Sequence, residues 1–259
     1  MELHGKHVVV TGAAGGIGSA LARAFHGDGA LVVLSDLHGA DAVSAELPGS
    51  LSVAADMSVE AGTVALIDAA ESAFGPIDLY FANAGIGVGT DPMDAEELWD
   101  VAFNVNVHAH RWAARRLLPG WIDRGDGYFC STASAAGLLA QIGAAPYSVT
   151  KHAAVAFAEW LAITYGNRGL KVSCLCPQGV NTNMIKQGDQ LGDGGNVVRL
   201  VAAILEPEDV AATVVDAIRQ ERFLILPHPE VADYMALKGS DHPRWLGGMR
   251  KLQRRVLGY

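Results

Sequence analysis

Tyr147 and Lys151 are the residues whose types and spacing most directly suggest chemistry in this sequence. They lie four positions apart in an alanine-rich segment with the pattern of a helix, and such positions share one helix face. A free tyrosine has a pKa of about 10 and transfers protons poorly at neutral pH, whereas a nearby ammonium group favours the phenolate. The pair therefore indicates general acid–base catalysis, although a solvated helix pair would have the same spacing.

Further polar residues follow two apolar runs that have the character of strands. Ser134 lies thirteen residues before Tyr147 and follows the run Tyr128–Ser131. Asn83–Gly85 ends the preceding run, and Asn106 lies in the helical segment between the two. Ligands of open α/β sheets bind at the carboxyl ends of the strands. Ser134 is therefore expected to hydrogen-bond a substrate oxygen.

A glycine cluster between the first apolar run and the first helical segment forms a second candidate site. Gly12, Gly16 and Gly18 lack a Cβ, so the backbone can turn sharply against a pyrophosphate while the helix N-terminus supplies free N–H groups. A plain tight turn also needs glycine, but the strand–turn–helix setting favours dinucleotide binding. Asp36 ends the second run, 18 residues after Gly18, where an acidic ribose ligand is expected. Its carboxylate would repel a 2′-phosphate, so NAD is predicted; a solvated helix cap is the alternative.

Short apolar runs alternate with longer helical segments along the chain. The predicted strands are His7–Val10, Leu31–Ser35, Ser50–Ala55, Leu79–Ala82, Tyr128–Ser131, Val172–Cys176 and Phe223–Leu226. The predicted helices are Ile17–Gly27, Ala40–Glu46, Glu60–Phe74, Ala95–Leu118, Pro146–Tyr165 and Glu208–Arg219. This alternation predicts an α/β fold, a single doubly wound Rossmann domain of about seven parallel strands with helices on both faces, over residues 1–259. Residues 183–200 are predicted to form a flexible substrate loop.

Composition excludes several classes of function. Half of the 259 residues are apolar, and a net charge of −9 leaves no basic surface suited to nucleic acid. Cys130, Cys174 and Cys176 lack the spacing of a disulfide framework or a metal site, and His108 and His110 have no partners at ligand spacing, so no metal is expected. Without a signal peptide or a transmembrane run, a cytoplasmic protein with no membrane contact is expected.

Together the motifs resemble the short-chain dehydrogenase/reductase family, from about His7 to Pro227. The glycine cluster has the family's spacing Thr-Gly-x3-Gly-x-Gly, and Tyr-x3-Lys follows Ser134 in the family's order. The resemblance implies a catalytic tetrad of Asn106, Ser134, Tyr147 and Lys151. In that scheme Tyr147 exchanges a proton with a substrate oxygen that Ser134 orients. Lys151 binds the nicotinamide ribose and lowers the pKa of the tyrosine, and Asn106 holds a helix distortion and a water.

The resemblance also implies an NAD site. The implied cofactor-binding residues are Gly12, Gly16, Ile17, Gly18, Asp36, Asp56, Met57, Asn83, Ala84, Gly85, Tyr147, Lys151, Pro177, Gly179, Val180 and Thr182. Asp56 would contact the adenine amino group, Val180 the carboxamide and Thr182 the diphosphate. Gln178 replaces the second residue of the family's Pro-Gly-x-Val-x-Thr, which leaves the local backbone angle and a substrate contact open.

The expected function is the NAD-dependent interconversion of a secondary alcohol and a ketone. Alternatives on the same scaffold are an enoyl reductase, which spaces the tyrosine and lysine further apart, and an epimerase, which has a longer substrate domain. A non-catalytic NAD-sensing or interaction protein is a third possibility, which the retained tetrad disfavours. The resemblance implies pocket walls at Ile86–Gly89, Ala135–Ile142 and Gln178–Leu200. With Leu138, Leu139, Ile142 and Val88 there and no Arg or Lys evidently aimed inward, an apolar or aromatic substrate without strong charge is expected.

The C-terminal tail, residues 241–259, contains five basic residues and one acidic residue. Trp245, Met249, Leu252 and Val256 recur in it at helical spacing. One interpretation is a basic amphipathic helix on an anionic membrane. The favoured one is a helix that packs its apolar stripe on a neighbouring subunit of a homodimer or homotetramer, with its basic face against acidic protein surface, since the stripe is short and Gly247–Gly248 weaken the helix. Deleting residues 241–259 is then expected to weaken the oligomer or the closure of the substrate pocket.

Overall fold

The computed structural model describes residues 1–188 and 197–258. The strands in these ranges are β1 (His7–Thr11), β2 (Leu31–Asp36), β3 (Leu51–Ala54), β4 (Leu79–Ala82), β5 (Gly127–Thr132), β6 (Leu170–Leu175), β7 (Gly179–Val180), β8 (Ile204–Leu205) and β9 (Leu224–Ile225). The α-helices are α1 (Gly16–Gly27), α2 (Ala40–Ala45), α3 (Glu60–Phe74), α4 (Glu96–Phe103), α5 (Ala109–Arg124), α6 (Ala145–Tyr165), α7 (Asn183–Gly188), α8 (Val197–Val201), α9 (Pro207–Arg219), α10 (Glu230–Ser240) and α11 (His242–Leu257).

One parallel sheet of seven strands, in the order β3-β2-β1-β4-β5-β6-β9, carries the rest of the fold. Val8 of β1 pairs with Val32 on one side and with Leu79 of β4 on the other. The strand order therefore reverses between β1 and β4, and their carboxyl ends meet at the reversal. Such a switch point is where doubly wound sheets bind their ligands.

The central strands are uniformly apolar because both faces of the sheet are covered. Every residue of β1, β4 and β5 is buried, as expected of parallel strands between two helical layers. On one face, Phe25 of α1 and Val214 of α9 belong to one core cluster. On the other, Leu66 of α3 and Ala158 of α6 belong to a second. The predicted doubly wound Rossmann fold is confirmed.

The segment predicted as one helix, Ala95–Leu118, consists of α4, a π-helical turn at Asn104–His108, and α5. A π-turn inserts one extra residue into the helical ladder, and such insertions concentrate at functional sites. The predicted flexible loop contains α7 and α8 at its ends, and its residues 189–196 lie outside the described residues. No helix among the described residues is long and apolar enough to cross a membrane.

The tail forms a helix with regular caps. The Asp241 side chain accepts a hydrogen bond from the Arg244 backbone N–H (3.0 Å), which satisfies a free donor of the first turn of α11. Gly258 ends the helix in the left-handed conformation at φ 79°. The predicted apolar stripe packs on its own chain: Trp245 is only 9% exposed, and its ring lies 5.2 Å from Lys238 Nζ of α10. The expectation that the stripe packs on a neighbouring subunit is therefore wrong for Trp245.

Candidate active site

A glycine turn at the switch point forms one end of a cleft of about 430 Å³. Gly12 and Gly16 are left-handed, with φ of 65° and 53°. A Cβ on Gly12 would lie 2.9 Å from Ala84 Cα, and one on Gly18 would overlap the Gly12 carbonyl. The first turn of α1 has no side-chain cap, so its N–H groups are available to an anion. This cradle fits the pyrophosphate of a dinucleotide.

Asn83 and Thr11 hold the glycine turn in place. The Asn83 side-chain amide donates to the carbonyls of Thr11 (3.0 Å) and Gly12 (3.3 Å). Thr11 Oγ1 accepts from the backbone N–H groups of Asn83 (2.9 Å) and Ala84 (3.0 Å). Thr132 at the end of β5 in turn donates to Asn83 Oδ1 (3.0 Å). The ends of β1, β4 and β5 are thus bound to one another directly beneath the cleft.

Both predicted acidic cofactor ligands line the cleft. Asp36 accepts hydrogen bonds from the backbone N–H groups of Ala14 (3.0 Å) and Leu37 (2.8 Å). Asp56 accepts one from the Ser58 N–H (2.8 Å). A carboxylate has about four acceptor positions, so each retains capacity for a ligand hydroxyl or amino group. The hydrogen bonds from the backbone fix the orientation of both carboxylates, and so the direction of their remaining acceptor positions.

The remaining predicted cofactor residues also line the cleft, with one exception. The predicted residues found in its walls are Gly12, Gly16, Ile17, Gly18, Asp36, Asp56, Met57, Asn83, Ala84, Gly85, Tyr147, Lys151, Pro177, Val180 and Thr182. Gly179 is not among them, because it pairs with Ile204 in the small sheet of β7 and β8. A Cβ there would lie 2.5 Å from Ile204 Cδ1, so this glycine is needed for packing.

Tyr147 and Ser134 converge in the cleft. Ser134 caps a short 3₁₀ turn after β5, accepting from the Ala136 N–H (3.1 Å) and donating to the Pro177 carbonyl (3.4 Å). Burial raises the pKa of the Tyr147 phenol, and its hydrogen bond with Ser134 acts in the opposite direction. Burial therefore destabilises the phenolate by more than the hydrogen bond from the serine hydroxyl stabilises it. The phenol is kept as a proton donor.

Lys151 lies beneath Tyr147, on the same face of α6. It is only 2% exposed, and its ammonium donates to the Thr132 carbonyl (3.0 Å) and lies 5.6 Å from the centre of the Tyr147 ring. Burial lowers the pKa of Lys151 to about 8. Burial raises the pKa of the Tyr147 phenol and Ser134 opposes that rise, so the lowering of this pKa by Lys151 stays a prediction.

Asn106 is fully buried in the π-turn, so the helix distortion expected at this residue is present. Its side chain accepts from the Ile86 N–H (2.9 Å) and donates to the Ile86 carbonyl (3.0 Å) and to Thr150 Oγ1 (3.1 Å). A Cβ on Gly85 would lie 3.0 Å from Lys151 Nζ and 3.3 Å from Asn106 Oδ1. Asn106 lines neither cavity, so it positions the β4 loop and α6 around the lysine.

Gln178 needs no unusual backbone angle, since it is absent from the residues with positive φ. Its N–H donates to Nδ1 of the buried His228 (3.2 Å), whose Nε2 lies 3.1 Å from the Ala203 carbonyl. Gln178 lines both cavities of the site, which keeps a substrate contact possible. His228 carries no sequence signal, because an isolated histidine after β9 belongs to no motif.

A second cavity of about 720 Å³ meets the cleft at Ser134 and Gln178. It is lined by Ser134, Ala135, Ala136, Leu139, Ala140, Gln141, Ile142, Gln178, Val197, Val198, Tyr234, Leu237, Arg244, Trp245, Gly247, Gly248, Met249, Lys251, Leu252 and Arg255. Its volume and its mainly apolar lining are typical of small-molecule sites. Of the four apolar residues expected in the pocket wall, Leu139 and Ile142 line this cavity, whereas Leu138 and Val88 do not.

The outer wall of this second cavity is formed by α10 and α11. Lys238 fastens them to the loop after β5 by donating to the carbonyls of Leu138 (2.7 Å) and Leu139 (3.1 Å). The expectation that no Arg or Lys contributes to the pocket is wrong: Arg244, Lys251 and Arg255 are among the lining residues. No pattern in the sequence indicates this, because nothing in it relates the tail to the end of β5.

A sequence profile of the short chain dehydrogenases matches residues 6–190. The chain belongs to the short-chain dehydrogenase family. It is 35% identical over 245 residues to 1-deoxy-11-beta-hydroxypentalenate dehydrogenase of Streptomyces exfoliatus, covering 89% of this chain and 86% of that protein. It is 31% identical over 220 residues to meso-2,3-butanediol dehydrogenase of Serratia marcescens, covering 83% and 87%.

The fold agrees with solved structures of the same family. A short chain dehydrogenase/reductase from Burkholderia phymatum, solved in complex with NAD, superposes with a TM-score of 0.84 at 30% identity. The match covers 94% of this chain and 96% of that one. Family membership identifies this short-chain dehydrogenase as an oxidoreductase and agrees with a cleft built to fit a dinucleotide.

Truncating this dehydrogenase before Asp241 should open the outer wall of the substrate cavity. We expect KM for the substrate to rise at least about tenfold, since the apolar area of Trp245, Met249 and Leu252 is lost, while the Kd for NAD changes less than about twofold. Steady-state kinetics and calorimetric titration with NAD measure the two. A comparable loss of NAD binding would show that the tail supports the whole domain.

Replacing Lys151 by Met should stabilise this dehydrogenase while impairing catalysis. The lysine pKa is lowered in the folded state from 10.5 to about 8, so burying the ammonium costs free energy that is fully present below pH 8. The cost disappears as the pH rises from 8 to 10.5, because the unfolded lysine then also loses its proton. We expect a gain of about 2 kcal/mol at pH 7, allowing for the lost bond to Thr132.

Urea unfolding without added cofactor, at pH 7 and at pH 10, measures this gain. It should shrink at the higher pH, whereas Lys6→Met, at a half-buried lysine on the surface, should produce no such trend. If the Lys151→Met variant were less stable than the parent at pH 7, that result would contradict a costly buried ammonium.

Proposed function

We propose that this chain is an NAD(H)-dependent dehydrogenase that interconverts a secondary alcohol and a ketone, with Tyr147 as the general acid/base. The observation that carries the proposal is the position of Ser134 and Tyr147. Ser134 lines both cavities, and Tyr147 lines the cofactor cleft beside it. A substrate in the larger cavity would therefore present its oxygen to two hydroxyl groups at the edge of the dinucleotide cleft.

The reaction balances as alcohol plus NAD⁺ giving ketone, NADH and a proton. Bound NAD(H) supplies the hydride exchange with the carbinol carbon. In ketone reduction the Tyr147 phenol would donate its proton to the substrate oxygen, and in alcohol oxidation its phenolate form would take the alcohol proton. Ser134 Oγ would orient the substrate oxygen by a hydrogen bond. The Lys151 ammonium donates a hydrogen bond to the Thr132 carbonyl (3.0 Å) at the base of the site, and it would contact the nicotinamide ribose of a bound cofactor.

NAD(H) is the cofactor that the cleft favours over NADP(H). Asp36 lies at the cleft edge with its carboxylate fixed by two backbone N–H groups. A 2′-phosphate there would bring like charges together, which is unfavourable. The Burkholderia phymatum relative was solved with NAD. The cleft lining includes no Arg or Lys besides Lys151 among the described residues.

The relatives support a small alcohol or ketone as the substrate. Two of them are named as dehydrogenases of a hydroxypentalenate and of a butanediol. The larger cavity here has a wall of alanine, leucine, isoleucine and valine side chains, which favours an apolar body over a sugar. The four-residue spacing of Tyr147 and Lys151 disfavours enoyl reduction, and the lack of a longer substrate domain within the 259 residues disfavours epimerisation. The retained tyrosine disfavours a non-catalytic role.

A homodimer or homotetramer in the cytoplasm is part of the proposal. The outer face of α6 exposes Trp160 (52%) and Ile163 (81%). Large apolar side chains that are exposed together on a helix are typical of subunit contacts. The alanine-rich sequence of α6 would allow a close approach between two copies.

Tyr147→Phe should lower turnover at least about a hundredfold, because it removes the proton carrier. NAD affinity should change less than about twofold, since the phenol is not a principal cofactor anchor. Tyr165→Phe, at the far end of the same helix, is the matched control and should keep normal turnover. Steady-state kinetics on a panel of secondary alcohols tests this, and near-normal turnover of the Tyr147→Phe variant would refute the mechanism.

The parent enzyme should prefer NAD to NADP by at least about tenfold in kcat/KM, or roughly 1.4 kcal/mol. Asp36→Ala should narrow this ratio by removing both a ribose hydrogen bond and the repulsion of the 2′-phosphate. Asp41→Ala, an exposed aspartate of α2 outside the cleft, should leave the ratio unchanged. Equal use of both cofactors by the parent would mean that Asp36 does not reach the ribose.

A further inference from the structure

We propose that the substrate carries a carboxylate on its apolar body and that Arg244, Lys251 and Arg255 of α11 bind this carboxylate. The proposal rests on the proposed function, since it assumes that the larger cavity holds the alcohol or ketone. It adds the chemical class of that molecule, a hydroxy acid or an oxo acid, and the residues that select it.

The three cations share one face of α11. At about 100° per residue, positions 244, 251 and 255 fall within a sector of roughly 40°. Gly248 lies next to this sector, where its missing side chain leaves space. Other residues of α11 that line the cavity lie on both sides of this sector around the helix axis, with Gly247 on one side and Met249 on the other. The basic face is therefore part of the surface that α11 turns to the cavity.

No acidic side chain neutralises this face within the described part of the chain. The described residues that line the cavity include no Asp or Glu. The side chains of Arg244, Lys251 and Arg255 form no ion pair or hydrogen bond with described residues. In a protein with a net charge of −9, three cations at the wall of an otherwise apolar cavity attract an anionic ligand.

The reacting carbon of a bound substrate would lie near Ser134, which supplies the serine hydroxyl of the lining. The same lining includes the side chains of Leu139, Ile142 and Tyr234. A bound molecule thus needs a hydroxyl or keto group near Ser134, an apolar middle, and negative charge toward α11. The planar forks of Arg244 and Arg255 match a carboxylate in geometry.

Such an anchor acts far from the reacting atoms. Its contacts are equal in the ground state and the transition state, so it should lower KM more than it raises kcat. The three side chains are exposed, so solvent and salt weaken each contact. Each cation is therefore expected to contribute roughly a two- to fivefold gain in affinity, and the gain should fall with ionic strength.

The test compares molecules that differ only in charge. Calorimetry with the NAD⁺-loaded enzyme, in which a ketone cannot be reduced, would measure the Kd of 9-oxodecanoate and of its methyl ester. We expect the acid to bind at least about tenfold more tightly at low salt. The triple variant Arg244→Gln, Lys251→Gln, Arg255→Gln should reduce this preference to below about twofold.

Arg250→Gln with Arg254→Gln is the matched control, since both residues lie on α11 outside the cavity lining. The control removes charge from the same helix and should keep the preference for the acid. Equal binding of acid and ester by the parent, or an equal loss of preference in the control, would overturn the proposal. Tighter binding of decanoyl-coenzyme A than of 9-oxodecanoate would also overturn it, in favour of a phosphorylated carrier.

Reduction of 2-decanone with NADH tests the dehydrogenase activity independently of the carboxylate anchor. Turnover of this neutral ketone with no preference for the oxo acid would refute the carboxylate anchor and leave the dehydrogenase assignment intact. A charge-dependent preference in binding, without turnover of any ketone, would support the anchor and refute the proposed reaction.

Discussion

A buried ammonium group is the constraint around which the centre of this fold is arranged. Lys151 is almost completely shielded from water, and its one hydrogen bond with a described residue is to the Thr132 carbonyl at the end of β5. Gly85 must lack a side chain to leave room for it, and the backbone of Gly137 packs against its carbonyl. Burying a charge in this way costs free energy of folding, so the segments around Lys151 are arranged about a group that lowers the stability of the fold.

The parts of the site that follow from the sequence are those set by local rules. The glycine turn, Asp36 and the Tyr147–Lys151 pair each follow from spacing within one strand–helix unit, and the order of the strands then brings them together. Their neighbours in space are predictable because parallel strands end at the same edge of a sheet. The extra residue of the π-turn at Asn106 was implied by family resemblance, since no residue pattern distinguishes it from a regular helix.

The substrate cavity could not be predicted in the same way. Its outer wall comes from α11, about a hundred residues after the loop it faces. Packing between such distant segments depends on the complete three-dimensional arrangement, and the apolar stripe at Trp245 is equally compatible with a subunit contact. The sequence predicts that the basic face of the tail lies against acidic protein surface, and only the position of its three cations in the cavity lining gives them a role in selecting a ligand.

Because α11 is attached through Lys238 of α10, the dinucleotide cleft and one wall of the larger cavity are formed by separate segments of the chain. The residues that line the dinucleotide cleft lie between Gly12 and Ile185, whereas one wall of the larger cavity lies after Glu230. Substitutions in α11 can reshape what the cavity accepts without disturbing the strands that hold the reacting groups. A terminal pair of helices, α10 and α11, fastened to the loop after β5 by one lysine on two carbonyls, is thus a segment in which new specificities can evolve at little risk to the fold.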